Sequence, residues 1–198
     1  MMASKLRQFR CGLCCIFLWI FSQPGLAQQN CSDEELVRLV TKAKQELRER
    51  LYLTLATAER SGVPWNTPVY TAFDAQYTFF WISARLSQHS RNISQNNQVF
   101  VVVYDSTVAE GKGFAVYMQG QAHELNDAET IAYGLQWLSQ RAGVPLPPPP
   151  EFQGLSPQRI YKFLPQKTWV NTVVLSDGKY VDKRIDVTEC MSTSINLF

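Results

Sequence analysis

The chain has 198 residues, 45% of them hydrophobic and 18% charged, with 19 Lys and Arg against 17 Asp and Glu for a formal net charge of +2. That apolar content excludes a disordered chain, 10 Gly and 10 Pro exclude a collagen-like or low-complexity one, and the length fits one ordinary globular domain. So small a net charge, with both signs mixed along the chain, gives no case for nucleic acid or an anionic membrane surface as partner.

Lys5, Arg7 and Arg10 precede an apolar run over 11–21, and Gly25 and Ala27 stand at small-residue positions, with no acid before Asp33. This is the grammar of a secretory signal cut after Ala27, and the run is too short to span a bilayer comfortably. The same pattern fits a start codon set too far upstream, with the working chain beginning near Ser32. Residues 1–27 are therefore read as a signal-peptide-like segment and 28–198 as a single domain. The protein is exported if the signal is real, without a membrane anchor after cleavage, and cytoplasmic if the start is misassigned. Cys11, Cys14 and Cys15 lie in the apolar run, where Cys behaves as a small hydrophobe. Cys31 and Cys190 are left, one near each end, and either pair in an oxidising compartment or stay as thiols.

Ser32 with Glu35 makes a capping-box pattern, and Leu36, Leu39, Val40, Ala43 and Leu47 recur at helical spacing, which predicts a helix over about 33–50. The period then changes to the alternation of a strand over 51–57, and a turn at 59–62 leads to a second strand over 63–73. Pro64 and Pro68 mark that strand as an edge or a bulge. Further strands follow over 77–84 and 98–104, with a short polar helix between them at about 88–95, and then over 114–125. Asp127 opens a helix over 127–141 with Ile131, Leu135 and Leu138 on one face. The proline-rich stretch at 144–150 reads as an extended spacer within the domain. Strands over 159–164, 168–175 and 179–187 close the chain. The pattern is mainly β with flanking helices, an α+β chain whose six or seven antiparallel strands fit a small barrel with helices outside it.

The motifs of dinucleotide folds, P-loop enzymes, serine esterases and zinc proteases are all missing from the sequence. With His89 and His123 as the only histidines, and no second ligand at metal spacing, no metal site is expected. The dense polar cluster is Ser83, Arg85, Ser87, Gln88, His89, Ser90, Arg91 and Asn92, at a strand end leading into the short helix. Hydroxyls, guanidiniums and helix N–H groups together suit a phosphate, and the same residues equally suit a polar loop capping its own helix. Asn30-Cys31-Ser32 and Asn92-Ile93-Ser94 also have the form of glycosylation acceptors.

Several segments in order carry a family resemblance. Leu53-Thr54-Leu55-Ala56-Thr57, Asn66-Thr67-Pro68-Val69, Phe79-Phe80-Trp81-Ile82-Ser83, Ser87-Gln88-His89-Ser90-Arg91-Asn92-Ile93 and Asn97-Gln98-Val99 resemble the pyridoxamine 5'-phosphate oxidase-like family. The segment 157–165 with Trp169-Val170-Asn171 is similar to the family's closing strands. The resemblance implies an FMN-binding split β-barrel, a homodimer with flavin at its interface, and an oxidoreductase acting on an unidentified small substrate. It implies that Ser83 and the pair Gln88 and His89 hold the flavin phosphate and that Trp169 lies near the ring. Arg85 and Arg91 are added because a phosphate dianion wants a nearby guanidinium. The oxidases' Arg and Lys on the second strand are replaced by Asn66 and Thr71, a Gln under the flavin by Ala115, and their substrate-phosphate signature by Tyr180-Val181-Asp182-Lys183-Arg184. Vitamin B6 phosphate oxidation is therefore not expected. The alternatives on the same barrel are a deazaflavin in place of FMN, a haem-binding or haem-utilisation protein with His89 or His123 as ligand, and a non-catalytic flavin-binding module. No catalytic acid or base is assigned.

Overall fold

The computed structural model describes residues 30–176 and 179–192. The signal-peptide-like segment with its three cysteines, and Asp177 and Gly178 of the last turn, lie outside them. The element order is α1 Glu34–Glu49, β1 Tyr52–Ala58, β2 Pro64–Tyr70, β3 Ala72–Phe73, β4 Phe79–Ala84, α2 Gln88–Gln95, β5 Gln98–Tyr104 and β6 Ala115–Glu124. Then come α3 Ala128–Ala142, a 3-10 turn Pro149–Phe152, β7 Gln158–Ser176, β8 Lys179–Asp186 and α4 Thr188–Met191.

All strands join one antiparallel sheet in the order β2-β1-β5-β6-β7-β4-β3, with β8 also on β7. The sheet has eight strands, more than the six or seven of the expected barrel, and their bounds differ from the ranges read from sequence. The segment over 63–73 breaks at Thr71, whose hydroxyl donates to Phe80 O at 3.0 Å, so β2 pairs with β1 and β3 with β4. Conversely, the closing segments over 159–164 and 168–175 are one strand. Pro165 does not end β7, because a bulge absorbs it: the register with β6 passes from Gly120↔Pro165 to Gln119↔Lys167. β2 lies at the end of the sheet order, where its prolines leave no ladder donor unmet.

Strand alternation sends β4 and β7 side chains to two cores. Phe79, Trp81, Tyr161 and Phe163 join Leu36, Leu39, Val40, Ala43 and Leu47 of α1 in the larger one. Phe80 and Ile160 point the other way and meet Ile131, Leu135 and Leu138 of α3. The two apolar helix faces are those the periodicity marks. Helix α1 starts one residue later than the capping box implies: Asp33, not Ser32, is the N-cap, its carboxylate accepting from Leu36 N at 3.0 Å. The proline segment returns to the domain, with Phe152 buried against the α3 core.

Cys31 and Cys190 form a disulfide, Cα atoms 5.4 Å apart, which ties the start of α1 to α4 across 159 residues of sequence. Closing so long a loop restricts the unfolded chain, so Cys31→Ser is expected to cost about 3–5 kcal/mol in chemical denaturation. Unchanged stability would show that the bridge is dispensable. Gly120 sits where two backbones touch, since a Cβ there would lie 2.0 Å from the Leu164 carbonyl oxygen. Gly120→Ala should therefore destabilise the protein by about 2–3 kcal/mol, measured as a lower denaturation midpoint.

Candidate functional site

The sheet delivers the polar cluster to one place. β4 ends at Ala84, a turn closes with Ser87 N donating to Ala84 O at 3.0 Å, and α2 begins at Gln88. Ser87 is the N-cap: its hydroxyl accepts from Ser90 N at 3.4 Å and donates to Ser90 Oγ at 2.8 Å. His89 turns back toward the strand, so that its Nε2 lies 2.8 Å from Ser83 Oγ and 3.1 Å from Ser87 Oγ. Ser83, Ser87 and His89 thus converge at the helix start, where the first N–H groups have no helical acceptor. Arg85 lies in the turn, exposed, and its side chain makes no hydrogen bond or ion pair among the described residues.

Gln88 and Arg91 are placed differently from the phosphate ligands that the resemblance and the charge pattern imply. Gln88 Nε2 donates to Glu59 Oε1 at 3.0 Å and to Asn92 Oδ1 at 2.9 Å, and its Oε1 accepts from the Arg91 guanidinium at 2.6 Å. Arg91 also donates to the Leu86 carbonyl. Both side chains therefore fasten α2 to its surroundings, beside a carboxylate that would repel an anion. Asn92 is buried and donates to Thr57 Oγ1 at 3.0 Å, so the folded chain does not offer it for glycosylation.

Trp169 is not brought to the cluster. Ser83 pairs with Arg159 on β7, and Trp169 lies ten residues further along that strand, on the order of 30 Å of extended chain. There its ring stacks on Phe100 with centroids 6.3 Å apart. Of the positions where the family residues are replaced, Asn66 is exposed on β2, Thr71 is buried, and Ala115 donates its N–H to Asn171 Oδ1 at 2.7 Å.

Behind the cluster lies a polar layer drawn from distant segments. Arg159, nearly fully buried, donates to Glu124 Oε1 at 3.1 Å and to the carbonyls of Gly154, Ser156 and Gln158. The Tyr161 hydroxyl donates to Glu124 Oε2 at 3.3 Å while its ring stacks on Trp81. Burial pushes the Tyr161 phenol up to about 12, with Ser90 opposing the rise and Glu124 adding to it. Glu124, Tyr161 and Ser90 also line a cavity of about 470 Å³ whose walls carry His123 and the amides of Gln95, Asn96, Asn97 and Asn126. Nothing local in the sequence marks Glu124 and Tyr161; only the β6–β7 register brings them beside α2. Among the described residues no cluster of three His, Cys, Asp or Glu could hold a metal, and no helix is long and apolar enough to cross a membrane.

Burial alone holds the His89 imidazole below its ordinary pKa. Folding therefore favours the neutral ring, and its contribution to stability is complete above about pH 6.5 and is lost as pH falls through the lower folded value. The denaturation midpoint should drop more between pH 7 and pH 5 in the parent than in His89→Gln. Equal drops would remove His89 as the cause.

The family model for pyridoxamine 5'-phosphate oxidase matches residues 39–171. Among solved structures, the haem storage protein HutZ from Vibrio cholerae is similar with a TM-score of 0.53 at 20% identity, over 64% of this chain and 90% of that one. A putative pyridoxamine 5'-phosphate oxidase from Listeria innocua gives 0.50 at 16% identity, over 67% and 97%. Atu2129 from Agrobacterium tumefaciens, of unknown function, gives 0.55 at 18% identity over 68% of this chain, which spans only 56% of that protein. These likenesses show the split-barrel fold. No curated protein sequence matches the chain.

Proposed function

Because the chain belongs to the pyridoxamine 5'-phosphate oxidase family, we propose that it is an FMN-binding flavoprotein, a homodimeric oxidoreductase acting on a small substrate other than a vitamin B6 phosphate. The observation that carries this reading is the meeting of Ser83 Oγ, Ser87 Oγ and His89 Nε2 at the start of α2, in a turn that also carries the exposed Arg85. Hydroxyls, an imidazole and unpaired helix N–H groups offer a phosphate several donors at once. When bound, FMN supplies hydride and single-electron transfer, and the protein binds and orients it. Ser83 and His89 would hold the phosphate, with Arg85 closing over it. Gln88 and Arg91 would act indirectly, by fixing α2 to Glu59 and Leu86.

The span of β7 supports a dimer within this reading. A flavin held at Ser83 meets Trp169 only if a second copy supplies the indole, because the two residues stand far apart on one chain. Export is supported by the Cys31–Cys190 bridge, since disulfides persist in oxidising compartments and are rare in the cytosol. The cradle reads the phosphate and not the ring, so a deazaflavin is the alternative cofactor.

The haem reading has one observation in its favour: His123 lines the cavity beside α2. The amide-rich walls of that cavity suit a flat apolar macrocycle poorly, and His89 is already held by two serines.

The test is a titration of purified protein with FMN, followed by quenching of flavin fluorescence. Binding should weaken by about tenfold in Ser83→Ala and in His89→Ala, and change little in Arg91→Ala. Mixing Ser83→Ala with Trp169→Ala chains should recover one intact site per mixed dimer. No FMN uptake by the parent, together with a Soret band on haem addition that His123→Ala abolishes, would replace flavin by haem.

A further inference from the structure

A second cavity, of about 550 Å³, opens between the C-terminal halves of α1 and α3 over β3, on residues that neither the cradle nor the smaller cavity uses. That size suits a small molecule. Its wall is made of the Phe73 and Trp137 rings and the buried Ala72, together with Arg48, Gln140 and Arg141. Both rings are held from behind: Phe73 stacks on Tyr77 with centroids 5.5 Å apart, and Trp137 meets Tyr133 edge-on at 6.3 Å. No carboxylate belongs to the wall. Asp74, next to Phe73, is engaged elsewhere, its Oδ1 accepting from Gln76 N and Thr78 N and its Oδ2 from the Tyr133 hydroxyl.

The wall is therefore rich in donors and short of acceptors. Arg141 reaches across to α1, donating to Arg48 O at 2.5 Å and to Arg50 O, which caps the carbonyl end of that helix. Its Nε is buried with no hydrogen-bond partner among the described residues, and so is Nε1 of Trp137, one helical turn earlier on the same face of α3. The Arg48 side chain is exposed and makes no hydrogen bond or ion pair among the described residues. Burial, and after it the Arg48 charge, hold the Lys44 ammonium below its ordinary pKa, so the excess of positive charge extends into α1.

We propose that this cavity binds a small organic acid with a flat apolar body, the body lying against Phe73 and Trp137 and the acid group meeting Arg48 with Gln140 beside it. Aromatic faces take up a flat ring, and a guanidinium forks onto a carboxylate. An inorganic anion would not use the rings, and a neutral aromatic molecule would leave the donors without an acceptor. An aromatic carboxylate uses both. The site stands apart from the flavin and dimer readings, since it shares no residue with the cradle or with Trp169.

Benzoate is the probe, added to the full chain with its disulfide intact and labelled with nitrogen-15. The indole N–H of Trp137, assigned by its loss in Trp137→Phe, reports occupancy of the cavity. Benzoate should move that signal saturably, and benzyl alcohol and inorganic phosphate should each bind about tenfold more weakly. Arg48→Ala should weaken benzoate by about fivefold, and Arg48→Glu by more. Because the Arg48 side chain is exposed and only its backbone carbonyl meets Arg141, both variants should keep the parent's denaturation midpoint. Ser83→Ala should bind benzoate as the parent does, whether or not the parent takes up FMN. An unmoved Trp137 signal, equal affinity in Arg48→Glu and the parent, or benzyl alcohol binding as well as benzoate would overturn the site. Benzoate binding lost in Ser83→Ala would move the acid to the cradle and overturn it too.

Discussion

The pairing along β7 is the constraint on which the other features depend. This strand of 19 residues takes β6 along one edge and, on the other, β4 beside its first half and β8 beside its second. Ser83 acquires its position from Arg159, Tyr161 faces Glu124 across the ladder, and Trp169 is carried to the far end. So long a strand must bend to follow a curled sheet, and it does so where Pro165 meets Gly120. The contact allows no side chain at residue 120, because the Leu164 carbonyl occupies the space. A single glycine thus permits the bulge that lies between the Ser83 end of β7 and Trp169.

The site is a polar layer wedged between two apolar cores. Burying so many polar groups is costly unless each finds a partner. Here most do: Asn92 meets Thr57, Gln88 meets Glu59 and Asn92, Tyr161 meets Glu124, and Arg159 gathers three carbonyls and a carboxylate. Among the described residues Trp81, stacked on Tyr161, is an exception: its buried Nε1 has no hydrogen-bond partner. At the start of α2 this layer brings the Ser83 and Ser87 hydroxyls and the His89 ring together at one spot.

Much of the fold was legible in the sequence because local periodicity and burial agree. The helical stripe of α1, the β-branched run of β5 and the short polar helix α2 all lie where the residues imply. Pro165 misled because a proline inside a strand is tolerated at a bulge, and the glycine that permits the bulge lies on another strand. The site was half legible. Ser83 and His89 announce themselves by type and neighbourhood, whereas Gln88 and Arg91 look identical as phosphate ligands until Glu59 and Leu86 O claim them. Glu124 and Tyr161 were invisible, since their part depends on a register between strands and not on a motif.

The central claim is that the cradle at the start of α2 binds a flavin phosphate within a dimer. A crystal structure of the chain grown with FMN tests it most directly. The account predicts the phosphate within hydrogen-bond distance of Ser83 Oγ, with the ring lying against Trp169 of a second copy. A phosphate bound away from Ser83 and His89, or a flavin enclosed by one copy alone, would contradict it.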